Sequence, residues 1–116
     1  MIFEKINDLF THYLYKEVSK DEIYHFQYQF EVLFSCFRKE IQDEIGSKNY
    51  ELLDSIYMFF DSYEPDENIR TYDKYCIDEV TLINKVRGAY EKIREKGSQY
   101  CSSFFYIWRE TNYGEN

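Results

Sequence analysis

The stretch "SKDEIYHFQYQF", residues 19–30, can be read as two different folds. From Tyr24 to Phe30, large and polar residues alternate with period two, the pattern of a half-buried strand. The same residues also belong to a longer series, Ile23, Phe26, Phe30, Leu33, Phe37 and Ile41, which recurs at helical spacing over a span much too long for an ordinary strand. The residues upstream decide between them. Ser19 stands three positions before Glu22, the spacing of a capping box, in which each side chain satisfies the other residue's exposed backbone N–H. A helix therefore starts here, and Gly46, suited to a left-handed C-terminal cap, is its expected end.

Outward from this helix the pattern stays helical. Ile2, Ile6, Leu9, Phe10, Tyr13 and Leu14 predict an amphipathic first helix, closed by Lys16 and Glu17. A third helix is expected over residues 49–62, with Leu53, Ile56, Phe59 and Phe60 inward. It must stop there, because Pro65 cannot sit in a helix interior and drives Glu64 toward extended geometry. A loop then runs to Asp78, which caps a fourth helix with Val80, Ile83, Val86, Tyr90 and Ile93 as its seam and Gly97 as its end. With only 4 Gly and 1 Pro, the chain lacks the punctuation of a many-stranded sheet. The expected architecture is all-α, a single domain over residues 1–116: a small antiparallel four-helix bundle (2–97) with a C-terminal extension (98–116). In that extension Phe104, Phe105, Ile107 and Trp108 are expected to pack on the bundle, since an exposed apolar run invites association.

Composition narrows the function. The 116 residues are 44% hydrophobic, enough for a core without disulfide or metal staples. Twenty-two acids against 14 bases give a net charge of −8. Such a field repels nucleic acid and anionic membranes and suits a basic protein partner. There is no apolar window of about 18 residues to span a membrane. Glu4 and Asp8 stand where a signal peptide needs a basic and then an apolar region, so a cytoplasmic location is expected. Cys36, Cys76 and Cys101 are odd in number, without a C-x-x-C pair, and are expected to be free and mostly buried thiols.

The enzyme chemistries considered lack parts. Glu22 and His25 form an E-x-x-H pair, but a di-iron bundle needs two such pairs and two further glutamates, and the other histidine, His12, is preceded by Leu9. Helical nucleases of the HEPN type need an arginine shortly before a histidine, and here every arginine follows the last histidine. The aspartates Asp61, Asp66 and Asp73 lack calcium-loop spacing, and no glycine-rich phosphate loop exists. A metal-binding enzyme built on Glu22 and His25 stays the alternative, with a generic helical adaptor third. Neither cofactor nor metal enters the leading reading.

What stands out is "FFDSYEPDEN", residues 59–68. Residues 61–79 carry seven acids (Asp61, Glu64, Asp66, Glu67, Asp73, Asp78, Glu79) and two bases (Arg70, Lys74), a local charge of −5. A charge run of this kind is either a solvated face or a surface aimed at something positive. Asp61 and Glu64 fall at a helix C-terminus, where the macrodipole disfavours negative charge by about 0.3–1 kcal/mol. Tolerating that cost suggests a use outside the fold.

At these residues the chain becomes recognisable. "MFFDSYEPDENIRTYD", followed by "LINKVRGAYEKIREK", resembles the bacterial self-protective colicin-like immunity family, the colicin D type. "INDLFTHYLYKEVSKDEI" is similar to that family's first helix and its turn into the second. The resemblance spans residues 5–96, with a few extra residues around Lys39 to Lys48, and residues beyond Gly97 exceed it. It implies a small four-helix inhibitor, not an enzyme, whose partner is the basic nuclease domain of a tRNA-cleaving toxin. The toxin's setting is a colicin-like bacteriocin or a contact-dependent growth inhibition system. By the same resemblance Asp61, Glu64 and Asp66 stand in for tRNA phosphates in the nuclease site. Glu67 and Asp73 extend the acidic patch, and Tyr63 and Tyr72 are candidate desolvated anchors.

Overall fold

Ser19 and Glu22 make the expected reciprocal cap: the Glu22 N–H donates to Ser19 Oγ at 3.2 Å, and the Ser19 N–H donates to Glu22 Oε1 at 3.2 Å. The helix they start includes all of "YHFQYQF" and settles the ambiguity. The computed structural model describes the backbone of residues 1–100 and the side chains of residues 1–94. The expectations for Phe104, Phe105, Ile107, Trp108 and Cys101 lie outside the described residues. Within them the chain is all-helical: α1 (Ile2–Leu14), α2 (Lys20–Cys36), α3 (Arg38–Ile45), α4 (Ser47–Ser62), α5 (Glu67–Tyr72) and α6 (Glu79–Tyr100). No helix among them is long and apolar enough to cross a membrane.

The core is aromatic. Phe30 on α2 lies 5.5 Å from Phe10 on α1, 5.7 Å from Phe60 on α4 and 5.5 Å from Phe34, ring centre to ring centre. Phe26 meets Phe60 edge-on at 5.0 Å and stacks on Tyr13 at 4.8 Å, and Phe10 meets Tyr90 of α6 at 4.9 Å. Each such pair adds about 0.5–1.5 kcal/mol beyond the area it buries. Between α1 and α6, the buried Tyr90 hydroxyl donates to Asn7 Oδ1 at 3.0 Å. Helix ends are closed from a distance. The Arg87 guanidinium donates twice to the Leu14 carbonyl at the end of α1, a cation where the helix dipole favours one. At the other end, the Glu44 carboxylate of α3 accepts the Ile2 and Phe3 N–H groups at 2.9 and 2.8 Å.

Six helices, rather than four, follow from two local events. The expected second helix breaks at Phe37, whose backbone (φ −126°, ψ 32°) leaves the helical region. The break lets α3 bury Ile41 and Ile45, while Phe37 itself stays 37% exposed and Phe34, not Leu33, takes the fully buried place. The second event is α5, within the expected loop, where Asp66 caps a short helix: the Asn68 N–H donates to Asp66 Oδ1 at 2.9 Å. Gly46 does sit at positive φ (85°), between α3 and α4. Two expectations for α6 are corrected: the helix continues through Gly97 to Tyr100, and Val80 is exposed while Leu82 takes its place in the core. Among the described cysteines, both free, Cys36 is exposed and Cys76 half-buried, so the expectation of mostly buried thiols fails for this pair.

Candidate functional site

The acidic segment is a strap that leaves the body at the end of α4 and returns at the start of α6. Its two ends are tied by a backbone bridge: the Glu64 N–H donates to the Ile77 carbonyl and the Ile77 N–H to the Ser62 carbonyl, each at 3.0 Å. Between those bonds nothing is fully buried. Lys20, at the start of α2, donates its ammonium to the Pro65 carbonyl at 2.9 Å. Arg70 donates to the Glu64 carbonyl and pairs with Glu79 at 3.8 Å.

Five of the seven acids are used by the strap itself. Asp66 caps α5, and Asp73 holds a tight turn by accepting the Tyr75 N–H at 2.9 Å. Asp78 caps α6 by accepting the Thr81 N–H at 2.9 Å. Glu79 faces Arg70, and the Glu64 carboxylate accepts the Asp66 N–H at 3.1 Å. Asp66, Glu67, Asp78 and Glu79 lie at helix N-termini, where the dipole favours an acid, whereas Asp61 and Glu64 lie at the end of α4 and Asp73 at the end of α5, where it disfavours one. Asp61 and Glu67 are exposed and make no hydrogen bond or ion pair among the described residues.

The aromatic anchors divide. Tyr72 is 91% exposed, its ring open to solvent. Tyr63 packs against the core, and its hydroxyl is buried. Burial first, and the nearby Glu79 carboxylate second, push its phenol up to about 12. Tyr63 is therefore a supporting residue rather than a surface anchor. Sequence reasoning missed Tyr75, 75% exposed, and Ile69, 47% exposed, which flank Tyr72 on the same strap. A helical signal was present, an aspartate cap followed by Glu67 and a last-turn Arg70. Nothing marked Tyr75.

The other chemistry-bearing residues are occupied or dispersed. Glu22 serves the cap and pairs with Lys16 at 2.9 Å, which together hold its carboxyl below the ordinary value. His25 and His12 are both exposed, each edge-on to the tyrosine beside it. Among the described residues no three His, Cys, Asp or Glu side chains gather as a metal set. A cleft of about 470 Å³ lies between the α1–α2 turn and α6. Its cations are already engaged: Lys16 with Glu22, Lys20 with Pro65, and Arg87 with Leu14.

The Asp78 cap has a pH signature. Hydrogen bonding from Thr81 holds this carboxyl below its ordinary value. A depressed pKa contributes stability that is complete above the unfolded value and disappears as pH falls through the folded one. Asp78→Asn keeps a capping oxygen but cannot titrate. Its thermal midpoint is expected to fall less than the parent's between about pH 6 and pH 3, the window that spans the ordinary carboxylate range. An equal fall in both chains would show that Asp78 makes no such contribution.

No protein-family model matches the chain, and neither a curated protein nor a solved structure does.

Proposed function

We propose that the chain is a binding protein without catalysis of its own: a cytoplasmic bacterial immunity protein that neutralises a tRNA-cleaving toxin. The toxin belongs to a colicin D-like or contact-dependent inhibition system, and the acidic strap covers its cationic active site. One observation carries the reading. Asp61, in the last turn of α4, and Glu67, on the strap, have no hydrogen bond or ion pair among the described residues, and the strap, tied down by Lys20 and Arg70, exposes Ile69, Tyr72 and Tyr75. Carboxylates supply field and register to such a contact, and aromatics supply its desolvated centre.

The resemblance of "MFFDSYEPDENIRTYD" to colicin-like immunity proteins supports the same assignment. In this reading α1, α2, α4 and α6 are the four helices of a small antiparallel bundle. The extra residues around Lys39 to Lys48 coincide with α3, an addition with its own buried face. The Glu22–His25 alternative gains nothing, because Glu22 is committed to the start of α2.

The test uses the C-terminal domain of the protein encoded immediately upstream. It is expected to cleave tRNA alone and to be silenced by one equivalent of this chain. Undiminished cleavage in excess chain, or an upstream product without nuclease activity, counts against the proposal.

A further inference from the structure

We infer that Arg70 is a positioning residue, the latch that sets the acidic strap in its binding shape and without which the strap opens while the helical body stays folded. The inference rests on the reading of the strap as a binding surface and adds what makes that surface rigid.

The strap has little else to hold it. α5 contributes no buried residue to the core, and every residue from 64 to 76 is exposed or half-buried. Arg70 is the one residue of α5 that turns inward, its side chain 20% exposed. Its guanidinium joins both ends of the strap, donating to the Glu64 carbonyl at one end and facing Glu79 of α6 at the other. Beside it, the Tyr63 hydroxyl and Glu79 Oε2 are buried without hydrogen-bond partners among the described residues. The charge that offsets the Glu79 carboxylate is therefore Arg70.

Removing that charge leaves a half-buried carboxylate without the cation that faces it, a costly arrangement that hydration relieves. The least expensive way to admit water is to part the two bonds of the Tyr63–Ile77 bridge, because α5 has no buried residue to be drawn out. The aromatic core on α1, α2 and α4 is not involved.

Hydrogen exchange on the full, unbound chain tests this. In Arg70→Ala, amides of residues 64–77 are expected to exchange about tenfold faster or more, with α1, α2 and α4 unchanged, as local opening requires. Adding Glu79→Gln to Arg70→Ala removes the stranded charge and is expected to restore at least half of the lost protection on a logarithmic scale. Lys20→Ala, which cuts only the Pro65 tie, is expected to give a smaller increase confined to the same residues.

Three results would overturn the inference: unchanged exchange in Arg70→Ala, a uniform rise across the whole chain, or no recovery in the double variant. Because the readout needs no partner, failure here leaves the binding reading standing, and failure of toxin inhibition leaves the exchange result standing.

Discussion

Asp61→Lys combined with Glu67→Lys is expected to keep the helical signal and lose protection against the toxin. These two acids have no partner within the described chain, so reversing them disturbs no cap, turn or ion pair. In a desolvated contact, truncating one member of a charge pair costs about 2–5 kcal/mol, at least about thirtyfold in affinity, and reversal costs more. Glu64 and Asp66 are poorer test sites, because one orients the Asp66 N–H and the other caps α5. For Asp66 the informative change is Asp66→Asn, which retains a capping oxygen and removes the charge. A control with the same change in net charge is Glu40→Lys with Asp43→Lys on exposed positions of α3. The control is expected to slow association through the weaker field and to leave dissociation alone. Equal losses of affinity in the two variants would mean that only the overall field matters and that the strap is not the contact.

Phe30→Ala is expected to destabilise the fold by about 3–5 kcal/mol, against a typical total of about 5–15. The ring is fully buried and touches rings on α1, α2 and α4, so no single neighbour can move to fill the space. The matching experiment is Tyr24→Ala with Tyr28→Ala, at residues 67% and 61% exposed, where each change is expected to stay within about 0.5 kcal/mol. The comparison has a wider use. In a strand, Tyr24, Phe26, Tyr28 and Phe30 would share one face and cost similar amounts, whereas on α2 the phenylalanines face in and the tyrosines out. Denaturant melts showing equal losses for the two sets would contradict the helix.

How far the sequence could be read depended on the range of the interaction. The Ser19–Glu22 box was legible because both partners stand within one turn of chain. So was the end of α4, which Pro65 enforces sterically. The break at Phe37 was not, since "SCFR" contains neither glycine nor proline and the apolar spacing runs through it unbroken. It exists because α3 buries Ile41 and Ile45 in a core shared with α1 and α4, a tertiary demand with no local mark. Val80 fitted the expected seam by spacing, yet the seam runs through Leu82, Ile83 and Val86 instead.

The site was read in the same uneven way. Placing Asp61, Glu64, Asp66, Glu67, Asp73 and Tyr72 on one segment needed only the sequence. Which acids are spent on caps and turns, and that Tyr63 lies inside while Tyr75 lies outside, required coordinates.

The carboxylate that closes α1 also bears on the order in which the chain can fold. Met1 offers the first turn no side-chain cap, and the Ile2 and Phe3 amides rely on Glu44, 42 and 41 positions later. During synthesis at about 5–20 residues per second, α1 is made seconds before that acid is added. Its opening turn has to fray until α3 has emerged and docked, so α1, made before α3, is finished only after it.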